Sequence, residues 1–149
     1  MFASPFASNA ANRAQRGGLY QQVGIETRVN GADPHQLVLM LFDGFLEAVA
    51  QGRGAMRARQ AAAKGAALSR AVRIIEEGLR AGLDLRAGGT LARDLDELYA
   101  YLAMQLTLAN LRDDETRLDE CQRLVTPLRE AWLAIAPAPA GAAAARSPL

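Results

Sequence analysis

The sequence predicts an all-α protein, an antiparallel up-down-up-down four-helix bundle with an N-terminal apolar segment and disordered tails. Two observations predict this fold class. Apolar residues recur at spacings of three and four in four consecutive segments between residues 33 and 135, as they do on one face of a helix. The breaks between the segments are short, so consecutive helices are expected to be antiparallel neighbours. With 149 residues, half of them hydrophobic, the chain can bury one core, over residues 33–135.

The start of the first helix is marked by Asp33-Pro34-His35-Gln36. Asp33 is a typical N-cap, Pro34 suits the first helical position because its missing donor costs nothing there, and Gln36 is placed for a capping box. Residues 37–42 are all apolar, and the helical period resumes afterwards at Phe45. A helix that is apolar over such a wide arc must cover two neighbours or a ligand.

The other three helices each carry a single apolar stripe and are separated by recognisable breaks. We predict the first turn near Gly65, with a helical continuation through residues 60–67 as the alternative. The second break is predicted at Gly88-Gly89, as a left-handed C-cap, followed by an N-cap at Thr90. The third break is predicted at residues 112–114. The stripes are Leu68, Val72, Ile75, Leu79 and Leu83 in the second helix; Leu91, Leu95, Leu98, Leu102 and Leu106 in the third; and Leu118, Cys121, Val125, Leu128, Trp132 and Ile135 in the fourth.

Both ends of the chain differ in composition from the bundle. Residues 1–18 and the Ala/Pro-rich residues 136–149 are predicted to be disordered tails, and residues 19–32 an apolar segment that lies over the bundle as a lid. The N-terminus lacks a basic region and a long apolar run, which argues against a signal peptide. The longest strongly apolar run, residues 37–42, is far shorter than the roughly 20 residues that a membrane span needs. We expect a cytoplasmic protein without membrane insertion.

Residues that could perform chemistry are scarce, so we predict no enzyme and no catalytic, cofactor-binding or metal-binding residues. The single histidine, His35, excludes a Glu-x-x-His metal pair, and Gly88-Gly89 is a turn rather than a phosphate-binding loop. The single cysteine, Cys121, lies on a helix stripe and is expected to be a small core residue without an internal disulfide.

The charges are distributed unevenly along the chain although the net charge is only +1. Six basic residues and no acid lie between Glu47 and Glu76, and five acids lie in the third break or shortly after it. In an up-down bundle both clusters lie at the same end, where they are expected to face one another. No aromatic residues interleave with the basic ones, so nucleic acid is not an expected partner. The clusters are Arg53, Arg57, Arg59, Lys64, Arg70 and Arg73, and Asp113, Asp114, Glu115, Asp119 and Glu120.

Several short motifs, in a specific order and spacing, resemble the FliS family of flagellar secretion chaperones over about residues 19–135. The third helix departs from the family at Ala100, where an aspartate is common between the two tyrosines. The motifs are Tyr20-Gln21-Gln22-Val23, Asp33-Pro34-His35-Gln36-Leu37, Met40-Leu41-Phe42-Asp43-Gly44, Lys64-Gly65-Ala66-Ala67-Leu68-Ser69, Ile74-Ile75-Glu76-Glu77-Gly78-Leu79, Gly88-Gly89-Thr90-Leu91, Leu98-Tyr99-Ala100-Tyr101, Ala109-Asn110-Leu111-Arg112 and Ala131-Trp132.

The resemblance implies a cytosolic, non-enzymatic bundle that binds the disordered C-terminal region of flagellin and prevents premature polymerisation. It also implies a contact with the flagellar export gate and, in some members, with an anti-sigma factor. The oligomeric state stays open. The candidate flagellin-binding residues are Tyr20, Val23, Leu41, Ile75, Leu79, Leu95, Leu98, Tyr99, Tyr101, Leu102 and Asn110.

Two alternatives of other classes remain at this point. A histidine phosphotransfer module is also a four-helix bundle, but its histidine stands exposed in mid-helix, whereas His35 follows Pro34 in a first turn. The other alternative is a structural helical bundle without a client. A phosphoryl-transfer assay tests the first, and light scattering with a flagellin C-terminal peptide tests the second.

Overall fold

The computed structural model describes residues 33–135, which fold into four helices without a strand in that range. The helices are α1 (Pro34–Arg57), α2 (Ala61–Arg73), which continues directly into a π-helical segment (Ile74–Arg80), α3 (Gly89–Arg112) and α4 (Glu115–Ala134). Each helix contacts the next one along the chain, and α4 contacts α1, so the bundle is closed. The predicted all-α bundle is confirmed. The predictions for residues 1–18, 19–32 and 136–149 lie outside the described residues.

Two of the predicted helix boundaries are confirmed by their capping bonds. The backbone N–H of Gln36 donates to the Asp33 carboxylate at 2.7 Å, which makes Asp33 the N-cap of α1. In the turn before α4, Asp113 takes a left-handed φ of 50° and ends α3. The Asp114 carboxylate then accepts the N–H of Thr116 at 3.1 Å. These bonds satisfy N–H groups that the first turn of a helix leaves without a partner.

The predicted first turn at Gly65 is wrong. The chain turns at residues 58–60, where Arg59 takes a left-handed φ of 57°, and Gly65 lies inside α2. The N–H of Gln60 donates to the carbonyl of Ala55 at 2.9 Å and closes α1. The alanine-rich stretch after Gln60 favours helix, so α2 begins immediately, as the alternative interpretation allowed.

The predicted capping roles in Gly88-Gly89-Thr90 are also wrong. The second helical stretch ends at Arg80, well before these glycines. Gly88 has right-handed angles, Gly89 has the positive φ of 58° as the first residue of α3, and Thr90 lies inside that helix. A Cβ at Gly88 would lie 2.5 Å from the Cβ of Ala92, so glycine is required there by close packing and not by left-handed φ.

The core is built from the middle of the four stripes. The largest side chains that are essentially inaccessible come from all four helices. Toward one end the stripes become exposed: Leu91 is 68% exposed and Ile135 is 56% exposed. The predicted apolar stripes are therefore confirmed as core in the middle of the bundle, but at one end they continue past the core. The inaccessible side chains are Phe45, Val49, Leu68, Ile74, Ile75, Leu102, Leu106, Leu118, Cys121 and Val125.

At the opposite end of the bundle the basic and acidic clusters meet, as predicted. Arg53 bonds Asp119 at 2.7 Å, and Lys64 donates to the carbonyl of Asn110 at 2.9 Å and to the Asp113 carboxylate. Other basic residues pair differently: Arg70 pairs with Glu47 on α1, and Arg73 pairs with Glu77 on its own helix. The first two pairs tie α1 and α2 to the turn before α4 and to α4 itself.

We predict that the Cys121 thiol is unreactive in the folded protein. Its side chain is inaccessible, and burial raises the pKa of the thiol to about 12 from an ordinary 9.0. At pH 8 this lowers the thiolate fraction by roughly a factor of a thousand, in addition to the steric barrier. Alkylation by iodoacetamide, followed by mass spectrometry, should be negligible in buffer and complete in urea. Equal rates in both conditions would show that the α3–α4 interface opens readily.

Candidate functional site

An apolar cleft of about 310 Å³ opens at the end of the bundle where α1 begins and α4 ends. All four helices contribute to it, as does the connection before α3. A larger cavity of about 550 Å³ lies at the other end, but Arg57, Arg59, Lys64, Asp113 and Glu115 line it and most of them are already ion-paired. We therefore consider the apolar cleft the better candidate. Its lining residues are Val38, Phe42, Gly78, Leu79, Gly82, Leu83, Leu91, Leu95, Tyr99, Leu128, Ala131, Trp132 and Ile135.

The cleft exists because the wall formed by the end of the second helical stretch and by the connection after it carries little side-chain volume. Gly78 and Gly82 both line it, and Gly78 is buried within the π-helical segment Ile74–Arg80. π-Helical turns are rare and occur frequently at functional sites. Leu79 and Leu83 flank the glycines and add apolar surface. The result is a depression where a fully packed bundle would have a closed core.

A pair of reciprocal hydrogen bonds joins the start of α1 to the end of α4 beside the cleft. The Nε2 of His35 lies 2.7 Å from the carbonyl oxygen of Trp132, and the indole Nε1 of Trp132 donates to the carbonyl of His35 at 2.9 Å. The rings stack with centroids 5.2 Å apart and an interplanar angle of 14°. Because a carbonyl can only accept, the His35 proton is assigned to Nε2. The pair fixes the indole that forms part of the cleft wall.

The predicted binding residues are divided among several environments. Leu79, Leu95 and Tyr99 come together in the cleft. Burial raises the pKa of Tyr99 to about 12, so its phenol stays neutral. Leu41, Ile75 and Leu102 are at most 2% exposed, so they support the helices from the core and offer no surface to a client, and Leu98 is half-buried against that core.

The remaining predicted residues do not reach the cleft. Tyr101 is on the outer side of α3, where its hydroxyl donates to Glu120 at 2.7 Å. Asn110 lines a separate groove of about 290 Å³ between α2 and α3. Tyr20 and Val23 lie outside the described residues. Tyr99 is buried and Tyr101 is exposed, so the two tyrosines lie on different faces of α3.

The reasoning from sequence missed most of the cleft wall. Leu91, Leu128, Trp132 and Ile135 were assigned to packed stripes and were not considered as binding residues. One signal for the cleft was the length of the third and fourth apolar stripes, because they extend further than a core of four helices needs. The wide apolar arc of α1, which supplies Val38 and Phe42 to the cleft, was the other signal.

The described lining of the cleft is almost entirely apolar. Among its described lining residues, only the Tyr99 phenol is ionisable. Within residues 33–135 no group of three potential metal ligands occurs, and none of the helices there is long and apolar enough to cross a membrane. The arrangement suits recognition of an apolar peptide segment.

A family model described as flagellar protein FliS matches residues 16–139, which include the whole bundle. The chain belongs to the FliS family. It is 45% identical over 118 residues to the flagellar secretion chaperone FliS of Salmonella typhimurium strain LT2, an alignment that covers 79% of this chain and 87% of that protein. It is 44% identical over 113 residues to the flagellar secretion chaperone FliSB of Pseudomonas aeruginosa, covering 76% and 89% respectively.

More distant relatives have the same designation. The flagellar secretion chaperone FliS of Bacillus subtilis strain 168 is 31% identical over 113 residues, which is 76% of this chain and 80% of that protein. The resemblance seen in the sequence motifs is thereby confirmed. Its relatives are described as chaperones and not as enzymes.

We predict that His35→Ala destabilises the folded bundle by about 1–2 kcal/mol. The variant loses one hydrogen bond, worth about 1 kcal/mol, and a stacked ring contact of similar magnitude. Urea unfolding followed by circular dichroism measures the loss. Gln36→Ala is the matched control, because Gln36 is exposed in the same turn and its capping bond uses only the backbone. Equal stability of the two variants would contradict a role for the ring pair in joining α1 to α4.

Proposed function

We propose that this chain is a cytoplasmic export chaperone that binds the disordered C-terminal segment of flagellin. Binding prevents premature polymerisation and delivers flagellin to the flagellar type III secretion apparatus, where the export gate is the receiving partner. The observation that carries the proposal is the open apolar cleft at one end of an otherwise packed bundle. Membership of the FliS family supports the class of client.

The size of the cleft limits how much of the client it can hold. A cavity of about 150 Å³ accommodates one benzene-sized group, so about 310 Å³ accommodates roughly two large apolar side chains. An amphipathic client helix presents such side chains at spacings of three and four. A disordered client that folds on binding usually buries on the order of 1,000–3,000 Å². The cleft is therefore the anchor of the complex, and the rest of the client extends over the surface of the bundle.

The chemistry of the wall suits an anchor. Trp132 presents a large ring of low rotamer entropy, a property of residues that dominate binding energy at interfaces, and the buried ring of Tyr99 adds to the lining. Both are held before the client arrives, Trp132 by its bonds to His35 and Tyr99 by burial. Leu91 and Ile135 are exposed at the rim, where a client would cover them. These chaperone side chains therefore lose little conformational entropy on binding, and most of the entropy loss comes from the client.

The alternatives receive less support from the structure. A phosphotransfer histidine stands exposed in mid-helix, whereas His35 is half-buried in the first turn of α1, with its Nε2 bonded to Trp132 and its ring stacked on the indole. A bundle without a client would have no reason to leave Leu91 and Ile135 exposed around a cleft.

We predict that Leu91→Asp weakens binding of a flagellin C-terminal peptide at least tenfold, because a carboxylate at the rim must be desolvated when the client covers it. Isothermal titration calorimetry measures the affinity. Leu91 is 68% exposed, so the fold should be retained. Leu111→Asp is the matched control, since Leu111 is 74% exposed on the same helix but outside the cleft.

The outcomes separate the function from the site. If the unaltered chain does not bind intact flagellin, or binds equally well to flagellin lacking its last few tens of residues, the proposed client segment is wrong. If it binds but Leu91→Asp and Leu111→Asp behave alike, the client segment stands and the cleft is not its anchor.

We further propose that residues 19–32 cover part of the cleft in the free chaperone and move when the client binds. The segment directly precedes Asp33, and α1 begins beside the His35–Trp132 pair at the cleft. It carries Tyr20, Val23, Ile25 and Val29, which are apolar enough to compete with a client.

Hydrogen exchange with mass spectrometry tests the lid. Amides of residues 19–29 should be partly protected in the free protein, and their protection should change when the flagellin peptide is added. Tyr20→Ala should reduce the protection in the free state while leaving exchange within α3 unchanged. Random-coil exchange of this segment in both states would exclude the lid.

A further inference from the structure

Each of the four helical walls of the cleft has a charged residue directly after one of its lining residues. In the π-helical segment Arg80 follows Leu79, and in α3 Asp96 follows Leu95. The Nε of Arg80 donates to the Asp96 carboxylate at 2.7 Å, and its Nη1 donates to Glu76 at 3.0 Å. The bond to Asp96 joins the π-helical wall of the cleft to the α3 wall.

A second ion pair joins the other two walls. In α1 Asp43 follows the lining residue Phe42, and in α4 Arg129 follows the lining residue Leu128. The Nε of Arg129 donates to the Asp43 carboxylate. The charged members of the two pairs are not themselves lining residues. They can therefore restrain the walls without presenting a charge to an occupant of the cleft.

Small residues leave the space between the restrained walls. Gly78, Gly82 and Ala131 all line the cleft. A Cβ at Gly82 would lie 3.0 Å from the carbonyl oxygen of Gly78, so a larger residue there would require the backbone to shift. Ala131 is exposed within α4 and can be enlarged without that conflict. It is the position at which the volume of the cleft can be changed by one substitution.

The lining is made of side chains that adapt poorly to an occupant. Promiscuous binding surfaces use methionine, whose flexible thioether fits many shapes, and none of the described lining residues is a methionine. The lining is instead glycine, alanine, branched aliphatic and aromatic residues, and Trp132 is held by its reciprocal bonds with His35. A cleft with restrained walls and such a lining keeps its volume when it is occupied.

We propose that the cleft has a fixed size limit, so that it selects apolar groups by their length and not only by their hydrophobicity. Groups that fill up to about 310 Å³ are bound, and the part of a longer group that exceeds this volume stays in water. The two ion pairs keep the walls at this separation, and Ala131 sets the limit from α4. The positioning residues are Arg80, Asp96, Asp43 and Arg129.

A series of n-alkanols from butanol to dodecanol, titrated into the full chain and followed by the NMR shifts of the Leu79 and Leu95 methyl groups, tests the limit. Each methylene that enters the cleft should raise the affinity roughly fourfold. The increase should stop at the alcohol that fills the cleft. Absence of binding by every alcohol overturns the proposal, as does an affinity that rises without a limit through the whole series.

Ala131→Leu tests the volume. Leucine adds carbon atoms within the cleft, so the limit should move to an alcohol shorter by about three methylenes. Ala50→Leu is the matched control, because Ala50 is exposed on α1 and does not line the cleft, and its limit should equal that of the unaltered chain. An unchanged limit in Ala131→Leu contradicts the proposal.

Arg80→Met tests the restraint, because it keeps the aliphatic stem and removes the charge. The limit should move to longer alcohols or disappear, while Arg80→Lys, which retains an ion pair, should keep it. Asp43→Asn removes the other pair and should act like Arg80→Met. Both pairs are partly exposed, so the fold should be retained. Arg70→Met is the control, since Arg70 pairs with Glu47 away from the cleft.

The size limit distinguishes positioning from a general effect on stability. A loss of stability would weaken the binding of all alcohols alike and would leave the limit at the same chain length. If Arg80→Met and Asp43→Asn both keep the limit of the unaltered chain, or if Arg80→Lys shifts it as far as Arg80→Met does, the ion pairs do not set the size of the cleft.

The consequence for the client rests on the proposed function. Ala131→Leu should weaken binding of the flagellin C-terminal peptide at least tenfold in calorimetry. A peptide with one large apolar anchor residue shortened to alanine should bind Ala131→Leu more tightly than it binds the unaltered chain. If no shortened peptide shows this compensation, the client is not selected by size. If the original peptide fails to bind the unaltered chain, the proposed function is wrong, and the alkanol series alone decides the size limit.

Discussion

The packing of large apolar side chains in the middle of the bundle determines what its two ends can do. Phe45, Ile75, Leu102 and Val125 come from four different helices and are essentially inaccessible. This layer fixes the distances between the helices, so the helices cannot approach one another independently at either end. Where bulky side chains stop, at Gly78 and Gly82, the spacing is retained and a cleft is left. Where charged side chains begin, at Arg53 and Asp119, the same spacing brings opposite charges into contact.

The two ends consequently have different physical characters. The charged end is closed by ion pairs and by Lys64, whose ammonium group bonds both a helix-terminal carbonyl and a carboxylate. The pKa of Glu115 is lowered chiefly by its bond to Arg57, which shows that the carboxylate is stabilised in its ionised form. The apolar end has no comparable set of charges among its lining residues. The basic cluster, which taken alone in the sequence suggests an anionic ligand, is instead largely ion-paired within the bundle. The proposed recognition surface is the end without charges.

Much of the fold could be predicted from local signals, because a helix cap and an apolar period each involve residues that are close together in the sequence. Asp33 was correctly predicted as a cap, and the break at residues 112–114 was correctly placed, for that reason. The predictions at Gly65 and Gly88 were wrong, because glycine occurs in left-handed turns but also elsewhere. Gly65 is tolerated inside a helix, and Gly88 is required by close packing. The sequence did not indicate that Arg59, a residue with a Cβ, would take the left-handed conformation at the first turn.

The candidate site was predictable only in part, because a cleft is defined by missing volume and not by a residue type. Tyr99 and Leu95 were expected in it, but a stripe pattern cannot show where a packed seam ends. Trp132 was therefore assigned to the core. Its position has a practical consequence. As the only tryptophan in the chain, it makes the intrinsic fluorescence of this protein a report from one wall of the cleft. Replacement of water by an apolar segment beside the indole would shift its emission to the blue, so occupancy can be followed in the native chain without a label.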